Sequence, residues 1–196
     1  MPNRSDIRSD SSDGSVQNGL PLHLVIHVYT VDRNGSCDPL KGARVDIWQA
    51  NSQGLYSSVN DEGTTGKKFL RGYQITDDNG TVHFTTVYPS WYLGRAIHIH
   101  DKVRMFNGSE KTIDWTSQLY MANSVNNQVH SHPPYGLHGM PDMTNEQDAI
   151  FTGPSTDHLV QTDTRKHLIL KLTKDGQQSY LGTADIVLNS AQQSEK

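Results

Sequence analysis

Cysteine is almost missing from this sequence: Cys37 stands alone in 196 residues, so no disulfide can close within the chain. That suits a reducing compartment without requiring one. A basic excess is missing too. The formal net charge is -4 and no polybasic stretch occurs, which argues against a nucleic-acid or anionic-membrane partner. The pair Lys67-Lys68 and the lone Arg104 sit among polar neighbours and read as solvated surface. No apolar run approaches the roughly 20 residues that a bilayer-crossing helix needs. The opening MPNRSDIRSDSSDGSVQNG has none of the apolar core of a secretory signal, so the expectation is a cytoplasmic protein.

Long helical periodicity is the last absence, and it turns attention to what is present. Short β-like segments alternate with turn signals at 23–31, 43–50, 81–88, 96–103, 118–121, 168–173 and 184–188. Asn34-Gly35 marks one turn and Asp78-Asn79-Gly80 a hairpin-type one. In 43–50, Val45 and Ile47 fall on one face, with Arg44, Asp46 and Trp48 on the other. Many short strands at this spacing predict an all-β fold, an antiparallel two-sheet β-sandwich with long loops, the longest between Trp115 and Pro154. Residues 1–19 are polar and predict a disordered or loosely draped leader. Residues 20–190 form the sandwich domain, and 191–196 a flexible tail.

Ten histidines stand out against this background, because neutral imidazole is the commonest protein ligand for transition metals. The strongest local signal is Gly94-Arg95-Ala96-Ile97-His98-Ile99-His100. Residues two apart in a strand share a side, so His98 and His100 project together while Ile97 and Ile99 enter the core. A bare H-x-H pattern says little, but two imidazoles in an apolar strand need partners. The second such pair, His130 and His132, lies in a polar, proline-rich stretch and reads as solvated loop. Tyr92, just before the histidine strand, and Tyr56, after a strand and a turn, are by themselves packing residues.

Taken in order, W-x-A-x-x-x-G-x-Y-S, F-L-R-G-Y-Q-x-T-D-x-x-G and Y-P-x-W-Y-x-G-R-x-x-H-I-H resemble the intradiol ring-cleavage dioxygenases, and most of all their compact, single-domain branch. The resemblance runs from about residue 24 to 188, densest between 45 and 103. It implies a non-haem Fe(III), one per chain, on Tyr56, Tyr92, His98 and His100. It also implies a catechol-type substrate cleaved by O2 between its hydroxylated carbons to a muconate-type diacid. Tyr92 matches the family's displaceable tyrosinate, which takes a substrate proton. Arg95 matches the arginine that stabilises negative charge on the ring, and Gln118 a glutamine that helps orient it. Tyr73, Tyr88, Trp91 and Tyr120 are left as packing or pocket wall. The larger relatives carry an N-terminal helical region for dimer contacts, whereas this sequence opens on a short polar stretch, so the oligomeric state stays open.

The donor set suits the implied metal. Fe(III) is a hard cation that anionic oxygen donors stabilise, and a phenol that ionises near pH 10 in water loses its proton far lower on a cation. Two other readings compete. Segments 42–47 and 76–82 also occur in transthyretin-like sandwiches, non-catalytic binding modules that need no such quartet. A zinc hydrolase would combine His98 and His100 with a histidine from 130–138.

Overall fold

The computed structural model describes residues 1–153, 168–176 and 178–189. Among them, two sheets face each other across one apolar core. The first sheet is built on β1 (Pro21–Val31), where Leu22, Leu24, Ile26 and Val28 alternate inward. Its neighbours are β2 (Cys37–Pro39) and β5 (Thr81–Val87) on one edge and β9 (Tyr180–Asn189), then β8 (Lys171–Lys174), on the other. The second sheet runs β4 (Arg71–Ile75), β3 (Arg44–Trp48), β6 (His98–Asn107), β7 (Glu110–Tyr120). Val45, Ile47, Ile99, Val103 and Leu119 meet the first sheet, and Ile97 joins them from the residue before β6.

The expected sandwich is what forms. The second sheet is antiparallel throughout, but β1 and β9 run parallel, which makes the first sheet mixed. The strand expected at 118–121 is the end of the eleven-residue β7, hidden by its polar, outward-facing side chains. Also unanticipated were β2, β4 and the helix α1 (Asn123–His130). The Asp78-Asn79-Gly80 turn does not make a hairpin. It carries the chain from one sheet to the other, because β4 pairs with β3 and β5 with β1. The Asp77 carboxylate accepts from the backbone of Asn79 and Thr81 to close it. The segment expected as a strand at 168–173 starts late: Ile169 bridges to Tyr120 of the opposite sheet before β8 begins.

Residues 1–19 differ most from expectation. Rather than being disordered, they lie across the sandwich, with single bridges from Asn3 to Tyr73 and from Asp6 to Thr85. Ile7 is fully buried in the main core. Burying such a side chain contributes roughly 1.5–3 kcal/mol, which composition alone does not reveal. Gly72 makes the approach possible: a Cβ there would meet the Ile7 side chain at 2.7 Å. Arg104 is likewise not free surface, since it pairs at 2.5 Å with Asp46, a buried carboxylate that Arg44 also holds at 2.7 Å. Residues 191–196, expected as a tail, lie outside the described residues. No described helix is long and apolar enough to cross a membrane.

Candidate metal centre

One end of the second sheet's outer face gathers the aromatic and imidazole side chains. His98 and His100 leave β6 on the same side, as strand alternation requires, and their Nε2 atoms are 3.1 Å apart. Register fixes their surroundings. His100 lies opposite Trp48 of β3 and Gln118 of β7, and His98 opposite Tyr120. The Trp48 and His100 rings stack with centroids 4.7 Å apart and planes 1° from parallel. His98 is 2% exposed, and its Nδ1 sits 2.7 Å from the Ala96 carbonyl. A carbonyl accepts only, so Nδ1 carries the proton and the Nε2 lone pair points into the cluster.

The two tyrosines arrive on loops. Tyr56 follows a turn in which the Asn51 side chain accepts from the amides of Gln53 and Leu55. Its own amide donates to Glu62 at 2.5 Å, and its carbonyl accepts from the Thr64 hydroxyl. Gly54, with φ of 80°, lets this loop meet the other one: a Cβ there would stand 2.3 Å from the Trp91 carbonyl. The Tyr56 hydroxyl lies 3.4 Å from His98 Nε2. Tyr92 comes from the turn ahead of β6, closed by the Arg95 amide on the Tyr92 carbonyl. Its ring packs edge-on against Tyr56 and His98, with centroids 5.6 and 5.7 Å away.

Arg95 sits in that same turn, three residues before the regular strand, and reaches over the cluster. Its Nη1 donates to the Tyr92 hydroxyl at 3.2 Å. Its Nη2 donates to Gln118 Oε1 at 2.5 Å and to the Tyr120 hydroxyl at 3.3 Å. All six residues singled out in the sequence therefore lie in one constellation. Two further contributors, Trp48 and Asp148, were not expected at the site, and Tyr120, expected only as packing or pocket wall, bonds to Arg95. Trp48 and Tyr120 are register neighbours of the histidines, and Tyr120 follows Gln118 by two, so strand alternation was the available signal. Asp148, whose carboxylate meets Arg95 Nε at 3.0 Å, gave no signal, being 53 residues away in the chain.

Burial sets the electrostatics. It lowers His98 to about 4, with Arg95 adding to the effect. His100 falls to about 3, through burial and then the neighbouring His98. Burial also pushes the Tyr56 phenol far above its usual value, and Tyr92 reinforces the shift. Both imidazoles are thus neutral donors at ordinary pH, while the phenol releases its proton only to a strong cation. The arrangement fits a single ion. Two donors at ~2.1 Å from one metal and at right angles stand roughly 3 Å apart, close to the 3.1 and 3.4 Å found here. Among the described residues no group of three His, Cys, Asp or Glu side chains gathers to hold a metal, so none of the described histidines joins the pair as a third.

The other histidine pair behaves differently from expectation. His132 is exposed, but His130 is buried at the end of α1, bonded to the Asn126 carbonyl at 2.9 Å and the Ser90 hydroxyl at 3.1 Å. The helix, invisible in a polar sequence, turns the ring inward. His138 packs on Trp91 and meets its carbonyl at 3.0 Å.

A cleft of about 280 Å³ opens beside the cluster, lined by Trp48, Tyr56, Arg71, His100, Val59 and Met1. A larger groove, of about 500 Å³, shares no lining residue with it.

Comparison with known proteins bears on what this constellation is. The profile of the family described as Dioxygenase matches residues 5–112, more than half of the chain. An intradiol ring-cleavage dioxygenase from Tetranychus urticae shares 30% identity with a TM-score of 0.77, covering 96% of this chain and 87% of that one. The chain belongs to the intradiol ring-cleavage dioxygenases. Among curated members of that family, catechol 1,2-dioxygenase of Acinetobacter baylyi is 38% identical over 80 residues, which is 41% of this chain and 24% of the relative. Hydroxyquinol 1,2-dioxygenase of Rhizobium sp. is 39% identical over 54 residues, 28% of this chain and 18% of the relative. The matched stretch therefore spans about a quarter or less of these relatives. Catechol 1,2-dioxygenase of Pseudomonas arvilla, at 24% identity and a TM-score of 0.55 over 96% of this chain and 58% of that one, shares the fold.

Proposed function

We propose that the protein is a non-haem Fe(III) intradiol dioxygenase, holding one ferric ion per chain on Tyr56, Tyr92, His98 and His100. On this reading it cleaves a catechol-type ring between its two hydroxylated carbons and places both atoms of O2 in a muconate-type diacid. The observation that carries the reading is the convergence of two imidazoles and two phenols in a chain of this family. A ferric ion held by these four residues would supply electron withdrawal that makes a bound catechol-type ring reactive toward O2. The protein's own groups do the rest. Tyr92 Oη, with the Arg95 guanidinium 3.2 Å away, is placed to take a proton from the incoming diol. Arg95 supplies fixed positive charge where negative charge builds on the ring. Gln118 and Tyr120 hold its outer nitrogen. Trp48, stacked on His100, covers one face of the cluster.

The test is aerobic turnover of a panel of catechols by iron-loaded protein, with the product identified by mass, alongside metal analysis and the visible spectrum. About one iron per chain, a phenolate-to-iron absorption band altered in Tyr56→Phe, and products heavier by two oxygen atoms are expected. A colourless zinc protein, or an iron protein that leaves every catechol intact, would overturn the reading.

A further inference from the structure

Asp148 is 1% exposed, a carboxylate taken out of water beside the cluster. Its two oxygens face different elements. Oδ1 accepts from the amides of Ile150 at 2.8 Å and Phe151 at 3.4 Å, capping the short helix α2 (Ala149–Thr152). Oδ2 accepts from Arg95 Nε and from the Ala96 amide, each at 3.0 Å. One residue thus joins the 145–152 segment to the turn that feeds the histidine strand. A second aspartate from the same stretch, Asp142, accepts from the Gly94 amide at 3.0 Å. Three consecutive residues, Gly94 to Ala96, are therefore held from outside the sandwich.

The division of the guanidinium matters most. It is planar, and its five N–H groups point in fixed directions. With Nε committed to Asp148, the two terminal nitrogens have one orientation left, Nη1 toward Tyr92 and Nη2 toward Gln118 and Tyr120. Without that carboxylate, the side chain can rotate about its stem and offer Nε to the cluster or to solvent. A helix cap alone needs only one acceptor and no charge, so the second oxygen calls for another explanation.

We propose that Asp148 is a positioning residue: through Nε it locks the plane of Arg95 so that the terminal nitrogens face Tyr92 and the reacting ring. The kinetic part of this inference rests on the dioxygenase reading of the site, while the orientation of Arg95 does not.

Two variants separate positioning from capping. Serine is a good helix N-cap, so Asp148→Ser keeps α2 but removes the partner of Nε. Asp148→Asn keeps the shape and offers N–H where Arg95 and Ala96 also present N–H. With iron content unchanged, Asp148→Ser is expected to lower kcat by roughly 10- to 100-fold, the cost of misplacing a group by about an ångström. KM should move less than about threefold, because the lost contact matters in the transition state. In an Arg95→Ala background the same substitution should cost nothing further. A readout independent of turnover comes from the metal-free protein. There the Arg95 Nε–H resonance, assigned by its loss in Arg95→Ala, should exchange slowly with solvent and vanish into the solvent-exposed envelope in Asp148→Ser. Wild-type kcat in Asp148→Ser, an undiminished loss on top of Arg95→Ala, or a protected Nε–H in Asp148→Ser and Asp148→Asn would each overturn the proposal. If the wild type turns over no catechol, the dioxygenase reading fails, and the resonance still decides the role of Asp148.

Discussion

Acidifying the metal-free protein is expected to weaken it in a window set by the buried imidazoles. Burial holds His98 at about 4 and His100 at about 3 in the folded chain, against roughly 6.5 once unfolded. The unfolded chain therefore binds more protons over the interval. Stability is complete above about pH 6.5, declines as the pH falls, and the loss levels off below the folded values. For His98, the difference in proton uptake between about 4 and 6.5 amounts to about 2.5 kcal/mol by pH 4.5. His100 adds to this, though not independently, since its Nε2 stands 3.1 Å from that of His98 and the pair titrates as one system. Against a typical total stability of about 5–15 kcal/mol, the loss is large. The assay is urea unfolding of chelator-treated protein, followed by tryptophan fluorescence at several values between pH 7.5 and 4.5. Wild type should lose about 2.5 kcal/mol more over that range than His98→Gln. Equal losses in the two proteins, or an NMR titration placing His98 near its ordinary value, would refute the electrostatic reasoning. The same shift matters for the metal, because protons compete with a cation for these lone pairs only in strong acid.

Two further outcomes follow from the contacts. Arg95→Ala should lower kcat by about 10²-fold while metal content and colour persist, since its guanidinium bonds to Tyr92 and Gln118 without being a metal ligand in this assignment; steady-state kinetics with metal analysis checks both halves. His130→Ala should destabilise the fold by about 2–4 kcal/mol, losing a buried ring and its bonds to Ser90 and Asn126. His132→Ala should stay within about 0.5 kcal/mol of wild type, and neither should change bound iron per folded chain in unfolding and metal assays.

What was legible followed the two-residue period of a strand. That period puts His98 and His100 on one side and Ile97 and Ile99 on the other, and separates Trp48 from Val45 and Ile47. The buried pattern of β1 obeys it from Pro21 to Tyr29. Polar surfaces hid the rest. The hairpin from β6 into β7 shows a mostly polar outer strand, and α1 has too few apolar residues to register a helical stripe. The placement of residues 1–19 is hidden for a related reason: one isoleucine seated over Gly72, together with backbone bonds from Arg4 and Ile7, fixes a segment whose average composition is polar. Contacts across long separations leave no local trace, as the ion pair of Asp148 with Arg95 and the close approach of Gly54 to the Trp91 carbonyl illustrate.

The four proposed donors are carried by the fold in different ways. The imidazoles belong to a central strand whose register with β3 and β7 fixes both rings, one stacked on Trp48 and the other bonded to Ala96. Tyr56 is clamped in its loop by Asn51, Glu62 and Thr64. Tyr92 is tied through its neighbours, for Trp91 meets His138 and Gly94 donates to Asp142. It stands on a short turn followed by the exposed Leu93 and by Gly94 at φ of 80°, and its hydroxyl is met by a side chain from its own turn. On the dioxygenase reading, the resemblance assigns the displaceable role to Tyr92, and the Arg95 guanidinium, 3.2 Å from its hydroxyl, would give the released phenolate a partner.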